Sequence, residues 1–173
     1  MKRRDLEHII RAAGSIVQSD TIVIIGSQSI LGAYPDPPAE LTTSQEADVY
    51  PAADPEKADL IDGSIGEMSL FHEQFGYYAH GIGTATAVLP KHWMTRVITI
   101  VNENTRGVKG LCLHPADLAV SKLAAGRERD LAFVKACLKH KLVSAAAIEK
   151  HSKELSPDMK KAVIQRLSRT TAS

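Results

Sequence analysis

A chain of 173 residues, 44% of them apolar, suits one domain, or a compact core with an appended helical segment, and carries enough hydrophobic mass to bury that core. No apolar run approaches the roughly 18 residues of a membrane helix, and Met1-Lys2-Arg3-Arg4-Asp5 opens an amphipathic pattern and not a secretion signal. Cys112 and Cys137, far apart and in apolar surroundings, read as buried thiols of a cytoplasmic protein, not as a disulfide or metal framework.

The net charge of +1 hides an asymmetry. Residues 1–90 hold 5 Lys or Arg against 13 Asp or Glu, a net of −8, while residues 91–173 hold 16 against 7, a net of +9. Either the acidic half holds cations and the basic half polyphosphate or nucleic acid, or the halves neutralise each other across their own interface.

In chain order, Leu6, Ile9, Ile10, Ala13, Ile16 and Val17 recur at helical spacing and predict a first helix ending near Asp20. A strand follows at 21–25, and Gln28 to Leu31 reads as a short helix closed by Gly32. Tyr34-Pro35-Asp36-Pro37-Pro38 is neither helix nor inner strand, so it forms a loop. Glu46-Ala47-Asp48-Val49 starts a second strand ending at Pro51. Asp54-Pro55-Glu56 is a helix start, with Ala58, Ile61, Ile65 and Met68 on one side, although Gly63 and Gly66 weaken the helix. Residues 85–89, 96–101 and 108–113 read as further strands. Helices are predicted at 115–125, 129–139, 144–151 and 157–168, with 170–173 frayed. The pattern is α/β: a mixed sheet flanked by helices over residues 1–113, and a C-terminal helical segment over 114–173 packed on that core.

The chemistry concentrates at two short pieces. Residues i and i+2 of a strand face the same way about 6.5–7 Å apart, so Glu46 and Asp48 can converge on one or two divalent cations. Gly26 allows a tight turn after the first strand, and the N–H groups and hydroxyl at Ser27 form a nest for phosphate oxygens. Taken singly, each piece also describes a wet sheet face or an ordinary helix cap. Lys122 lies in an apolar helix and either snorkels to water or is aimed at a partner. Arg127, Arg129 and Asp130 follow where Gly126 interrupts that helix. Arg129 joins Lys122 as a candidate phosphate holder, and Asp130 reads as an ion-pair partner fixing the helix junction. His72, His80, His92 and His114 show no paired zinc spacing and no adjacent nucleophile, so they read as surface or core residues. Residues 81–86 lack a third glycine, and no Gly-Lys-Ser/Thr phosphate loop occurs. Tyr77, Tyr78 and Trp93 read as core aromatics before a base-stacking platform.

Gly26-Ser27 followed by Glu46 and Asp48 resembles the signature of the DNA polymerase β-type nucleotidyltransferase superfamily. The run from His114 to Asp130 resembles the Leu-x-x-Lys-Leu-x-Ala-x-Arg-x-x-Asp stretch of its AbiEii-like toxin branch, and still more a group of uncharacterised bacterial nucleotidyltransferase-like proteins. Gly76-Tyr77-Tyr78, Thr86-Ala87-Val88-Leu89-Pro90 and Arg96 extend the likeness over residues 20–138. The resemblance implies a nucleotidyltransferase-type sheet, Mg²⁺ or Mn²⁺ on Glu46 and Asp48, and a nucleoside triphosphate held by Gly26, Ser27, Lys122 and Arg129. It further implies transfer of a nucleoside monophosphate to a hydroxyl of RNA, such as a transfer RNA end, or of protein, and, from the toxin branch, an antitoxin partner. In the resembled families a lysine at the place of Lys122 contacts the nucleotide's phosphates.

The chain departs from that pattern in three places. The first carboxylate is Glu46 where aspartate is commoner, and eighteen residues separate Ser27 from Glu46. A third carboxylate on a later strand has only Glu103 as a candidate, beside its reading as a loop acid at a strand end. These departures support a second reading, a catalytically inactive protein that binds nucleotide or nucleic acid or regulates a partner. A third is a kinase-like phosphotransferase that releases diphosphate.

Overall fold

The computed structural model of the chain describes residues 1–171. Helix α1 spans Arg3–Val17, strand β1 Thr21–Ile24, helix α2 Ile30–Ala33 and strand β2 Glu46–Pro51. Helices α3, Ala58–Ile65, and α4, Leu70–Phe75, lead to strand β3, Tyr78–Gly81. Strands β4, Ile98–Ile100, and β5, Lys109–Cys112, precede helices α5, Pro115–Ala125, α6, Glu128–Lys139, α7, Ala145–Ser152, and α8, Pro157–Thr171. The five strands form one mixed sheet in the order β3-β2-β1-β5-β4. Strand β1 is antiparallel to β2 and parallel to β5, β2 is parallel to β3, and β4 is antiparallel to β5. This is the α/β architecture, with a helical C-terminal part, that the pattern of residues predicts. Among the described residues no helix is long and apolar enough to cross a membrane.

The helical periodicity of α1 decides what the sheet packs against. Leu6, Ile9, Ile10 and Ala13 are wholly buried, with Leu6, Ile9 and Ile10 each contributing about 1.5–3 kcal/mol of transfer free energy. The helix stops at Val17, before Asp20, because Gln18 turns left-handed (φ 53°) and returns its N–H to Gly14. In β2 the period of two separates the faces: Ala47 and Val49 are fully buried, and Glu46 and Asp48 alternate onto the other face.

Several segments differ from the sequence-based expectation. Residues 85–89 form no strand, because the sheet edge beyond β2 is occupied by β3. Strand β3 and helix α4 fall where the sequence pattern predicts neither, since each spans too few residues for a period to stand out from its surroundings. Yet α4 carries punctuation at both ends, a Ser69 cap that accepts the His72 N–H at 3.1 Å and left-handed Gly76 (φ 75°). The helix start at Asp54 begins as a 3-10 turn, Pro55–Lys57, before α3. Helix α3 ends at Gly66, so Met68 is 84% exposed and not part of its buried side. The expected strand at 96–101 shortens to β4 behind a 3-10 turn at Trp93–Arg96. Thr170 and Thr171, expected to fray, close α8 with hydroxyl bonds to Arg166 and Leu167 carbonyls. Ala172 and Ser173 lie outside the described residues.

The C-terminal helices bury a cluster of their own, including Val120, Leu123, Val134, Ile148, Val163 and Leu167. Leu118 of α5 and Ala136 and Cys137 of α6 belong instead to the sheet's core, so α5 and α6 join the two. Burial pushes the Cys112 and Cys137 thiols up to about 12, as expected for inert buried cysteines. Arg166 of α8 donates to the carbonyls of Leu123 and Ala124 at 2.6 and 2.7 Å, satisfying the end of α5.

An ionic lock fastens this bundle to the turn before β4. Arg96 grips the fully buried Asp117 with two hydrogen bonds of 2.9 and 2.8 Å and Glu154 with two of 2.8 and 3.0 Å. His151 Nδ1 lies 2.8 Å from the same Asp117 oxygen. Arg96→Met should therefore lower the free energy of unfolding by about 3 kcal/mol at pH 7, because it strips a buried carboxylate of its bidentate partner. The hydrogen bonds from Arg96 hold Glu154 down to about 2 against its usual 4.5. That part of the stabilisation is full above pH 4.5 and disappears as pH falls toward 2, so the deficit of the variant should shrink across this window. Urea titrations of both proteins at stepped pH check both expectations.

Candidate active site

Strand register builds the site. Glu46 pairs laterally with Tyr78 and Asp48 with His80, so all four side chains project from one face of adjacent strands. The Tyr78 hydroxyl donates to Glu46 Oε2 at 2.9 Å. His80 Nδ1 lies 3.2 Å from Asp48 Oδ1 and 3.6 Å from Glu46 Oε1. Burial, followed by the Glu46 carboxylate, pushes the Tyr78 phenol up to about 12, so it stays a proton donor that orients Glu46.

Strand β1 brings Gly26 and Ser27 against these acids. The Ile25 N–H donates to the Asp48 carbonyl at 3.1 Å, which carries the β1–β2 pairing up to Gly26. The backbone of Gly26 is extended, φ −78° and ψ −171°, a conformation open to any residue. Its glycine is required for a different reason than the expected tight turn: a Cβ there would collide with the Asp48 carboxylate. Ser27 then opens a 3-10 turn, Ser27–Ser29, that runs into α2.

Across from the sheet, α5 and α6 present the cations. Lys122 Nζ lies 2.9 Å from Asp130 Oδ1 and 5.4 Å from the centre of the Phe133 ring. Arg127 Nε donates to Asp130 Oδ2 at 2.6 Å. Burial alone would raise the Asp130 carboxyl, but the bonds from Arg127 and Lys122 outweigh it and hold the group below the usual carboxylate range. Asp130 is thus the buried anchor of the helix junction, as its position beside Gly126 suggests. Lys122 neither snorkels freely nor stands alone, because its ammonium is pinned where it faces the two acids. Arg129 is exposed on the same rim.

Two adjoining clefts result. One, of about 480 Å³, is bounded by Gly26, Glu46, Asp48, His80, Lys122 and Arg129, with Ile82, Val88 and Leu118 as an apolar wall. The other, of about 360 Å³, shares Glu46, Asp48, Lys122, Arg127 and Arg129 and adds Ser27, Thr43, Ser44 and Phe133. The segment that follows the proline-rich loop, with Glu40, Leu41, Thr43 and Ser44, forms a wall of the second cleft, and loop and segment are tied down. Glu40 meets His140 at 2.6 Å, Tyr34 donates to the Leu142 carbonyl at 2.7 Å, and the Met1 ammonium donates to the Ser44 carbonyl at 3.1 Å.

All six residues singled out from sequence, Gly26, Ser27, Glu46, Asp48, Lys122 and Arg129, line one or both clefts. Glu103 does not. It is exposed in the turn after β4, three strands from β2, about 14 Å at the usual strand spacing. The third position beside Glu46 and Asp48 is held by His80, which stands in no zinc-type histidine spacing. One signal in the sequence pointed to it, the Tyr78-Ala79-His80 alternation, which repeats the Glu46-Ala47-Asp48 pattern. One donor atom from each of Glu46, Asp48 and His80 lies within 4.8 Å of the others, a span that fits ligation of one cation. A second cluster, His114, Asp117 and His151, belongs to the ionic lock, where Arg96 already saturates Asp117.

Residues 4–168 match the family described as "Nucleotidyltransferase of unknown function (DUF6036)". No curated protein and no solved structure matches the chain.

Burial, reinforced by the adjacent Glu46, raises the Asp48 carboxyl above its usual 3.8. A group shifted this way favours the fold only while protonated. Its contribution is full below pH 3.8 and is lost as pH rises through the raised value. At pH 7 in chelator-treated buffer, Asp48→Asn should therefore be more stable than the wild type by about 1 kcal/mol. The advantage should vanish below about pH 4, which urea unfolding midpoints at the two pH values will show.

Proposed function

The chain belongs to this family of nucleotidyltransferases of unknown function, and on that premise we propose that it is a metal-dependent enzyme moving a nucleoside monophosphate from a nucleoside triphosphate to a hydroxyl acceptor. The observation that carries the reading is the convergence of Glu46 and Asp48 on one sheet face beside Gly26 and Ser27, with Lys122 and Arg129 across the shared clefts. The donor set suits a divalent cation. Its two carboxylates repel each other, and Asp48 is raised by burial and by Glu46, an energetic conflict that positive charge relieves. Mg²⁺ or Mn²⁺ held by Glu46 and Asp48 supplies charge at the α-phosphate, where negative charge builds during displacement.

The chain's own groups take the remaining roles. The Ser27 hydroxyl and the N–H groups of the Gly26–Ser27 bend hold phosphate oxygens. Lys122, a compact cation fixed by Asp130, offsets charge on the departing pyrophosphate, and Arg129 assists from the rim. In the transfer, the acceptor oxygen forms a bond to the α-phosphorus as the bond to the bridging oxygen breaks, and pyrophosphate leaves with that electron pair. The acceptor's proton is released to solvent water, since Asp48 as a cation ligand has no free proton affinity to offer.

The acceptor in this reading is RNA, a transfer RNA end among them, drawn by the net +9 of residues 91–173. A protein hydroxyl, and a toxin held in check by an antitoxin, follow instead from the likeness to the AbiEii branch. A second reading, a protein that binds nucleotide without transferring it, is favoured by the imidazole of His80 standing where a third carboxylate was expected.

Incubation with each α-labelled triphosphate, Mg²⁺ or Mn²⁺, and total cell RNA and protein tests the proposal. Label should be retained in a macromolecule by the wild type and be reduced at least about 100-fold with Asp48→Asn, the scale of a lost electrostatic contact in the transition state. Absence of transfer to any acceptor, together with salt-sensitive nucleic-acid binding, would favour the second reading. Arg129→Ala, an exposed site, should weaken triphosphate binding about fivefold, near 1 kcal/mol, without moving the unfolding midpoint. Equilibrium dialysis with labelled triphosphate gives the affinity.

A further inference from the structure

We propose that His80 is the third metal ligand and that it makes the centre select a first-row transition cation such as Mn²⁺ over Mg²⁺. The inference rests on reading Glu46 and Asp48 as metal ligands and adds to it the identity of the ion. Its basis is geometry. The lateral pairing of Asp48 with His80 fixes the imidazole beside the carboxylates, and the ring presents Nδ1 to both of them, 3.2 Å from Asp48 Oδ1 and 3.6 Å from Glu46 Oε1. Tyr78 occupies the other Glu46 oxygen, which leaves Oε1 as the one turned toward His80.

The strand end that carries His80 is itself held. Gly81 abuts the Ala58 carbonyl so closely that a Cβ would collide with it, and its N–H donates to Asp62 Oδ1 at 3.3 Å. The backbone that carries the half-exposed imidazole is therefore fixed beside the carboxylates. Donors within 4.8 Å of one another match ligands placed about 2.0–2.3 Å from a shared ion. The cations nearest the cluster do not compete for the carboxylates, since Lys122 and Arg127 bond to Asp130.

Ligand chemistry then sets the preference. Mg²⁺ is a hard ion that suits carboxylate, carbonyl and water oxygens and gives up its water reluctantly. An imidazole nitrogen replaces one hard donor by a borderline one, which favours first-row transition ions over Mg²⁺, least strongly for Mn²⁺ and more so for the later members of the series. A carboxylate in the place of His80 would reverse the bias and add a third negative charge to a pair that already repel.

The test uses the purified full chain and Mn²⁺ alone, followed by electron paramagnetic resonance. Wild type should bind Mn²⁺ at least about tenfold more tightly than Mg²⁺ in competition, and the bound ion should show nitrogen-14 modulation in pulsed spectra. Both His80→Asp and His80→Gln should lose that modulation. His80→Asp should still bind Mn²⁺ while its preference over Mg²⁺ falls about tenfold, the lower end of what even outer-shell changes cost a metal site. Circular dichroism confirms that each variant is folded, and the second keeps the test usable if the first is not. Wild-type Mn²⁺ binding without nitrogen modulation, or modulation that survives both substitutions, overturns the assignment of His80 and leaves the carboxylate site standing. Failure of wild type to bind either ion, with Asp48→Asn indistinguishable from it, overturns the carboxylate reading as well.

Discussion

Two carboxylates on one strand, drawn partly out of water, repel each other, and the surrounding structure is arranged to hold them together despite that. Tyr78 secures one oxygen of Glu46, His80 faces both acids, and the absent side chain of Gly26 makes room for Asp48. Each contact comes from a neighbouring strand on one side or the other of β2, so the site exists only once β1, β2 and β3 are in register. A slip of one residue between β2 and β3 would turn Tyr78 and His80 toward the core and set Ala79 beside the acids.

The helical part supplies the opposite charge, and it too is held by buried ions. Asp130 gathers Lys122 and Arg127, and Arg96 binds Asp117 and Glu154. The first group aims a cation at the clefts, and the second fastens the helices that carry it to the sheet. The asymmetry between an acidic first half and a basic second half is therefore not cancelled by direct pairing of the site acids with the site cations. The Glu46–Asp48 pair meets an imidazole, the lysine and arginine meet an aspartate, and the clefts lie between. That separation of charge is what a polyanionic substrate with a divalent cation requires.

The sequence alone determined the elements with strong periods and clear punctuation. The apolar face of α1, the alternation of Glu46 and Asp48 in β2, and the helices from Pro115 onward were legible because each depends on spacing within one segment and on local caps such as Gly126 (φ 69°). Four of the six candidate residues, Gly26, Ser27, Glu46 and Asp48, were legible for the same reason, since Gly-Ser after a strand and acid-x-acid within one are local patterns, whereas Lys122 and Arg129 were singled out by their helix setting and by the family resemblance. The tertiary structure alone decided which strand borders β2. It put the four-residue β3 there, left residues 85–89 outside the sheet, and so made His80, not Glu103, the neighbour of the acids. It also showed that Gly26 is a matter of clearance to Asp48 and not of turning. Lateral strand order and close approach join residues that are tens of positions apart, and no period within a single segment encodes them.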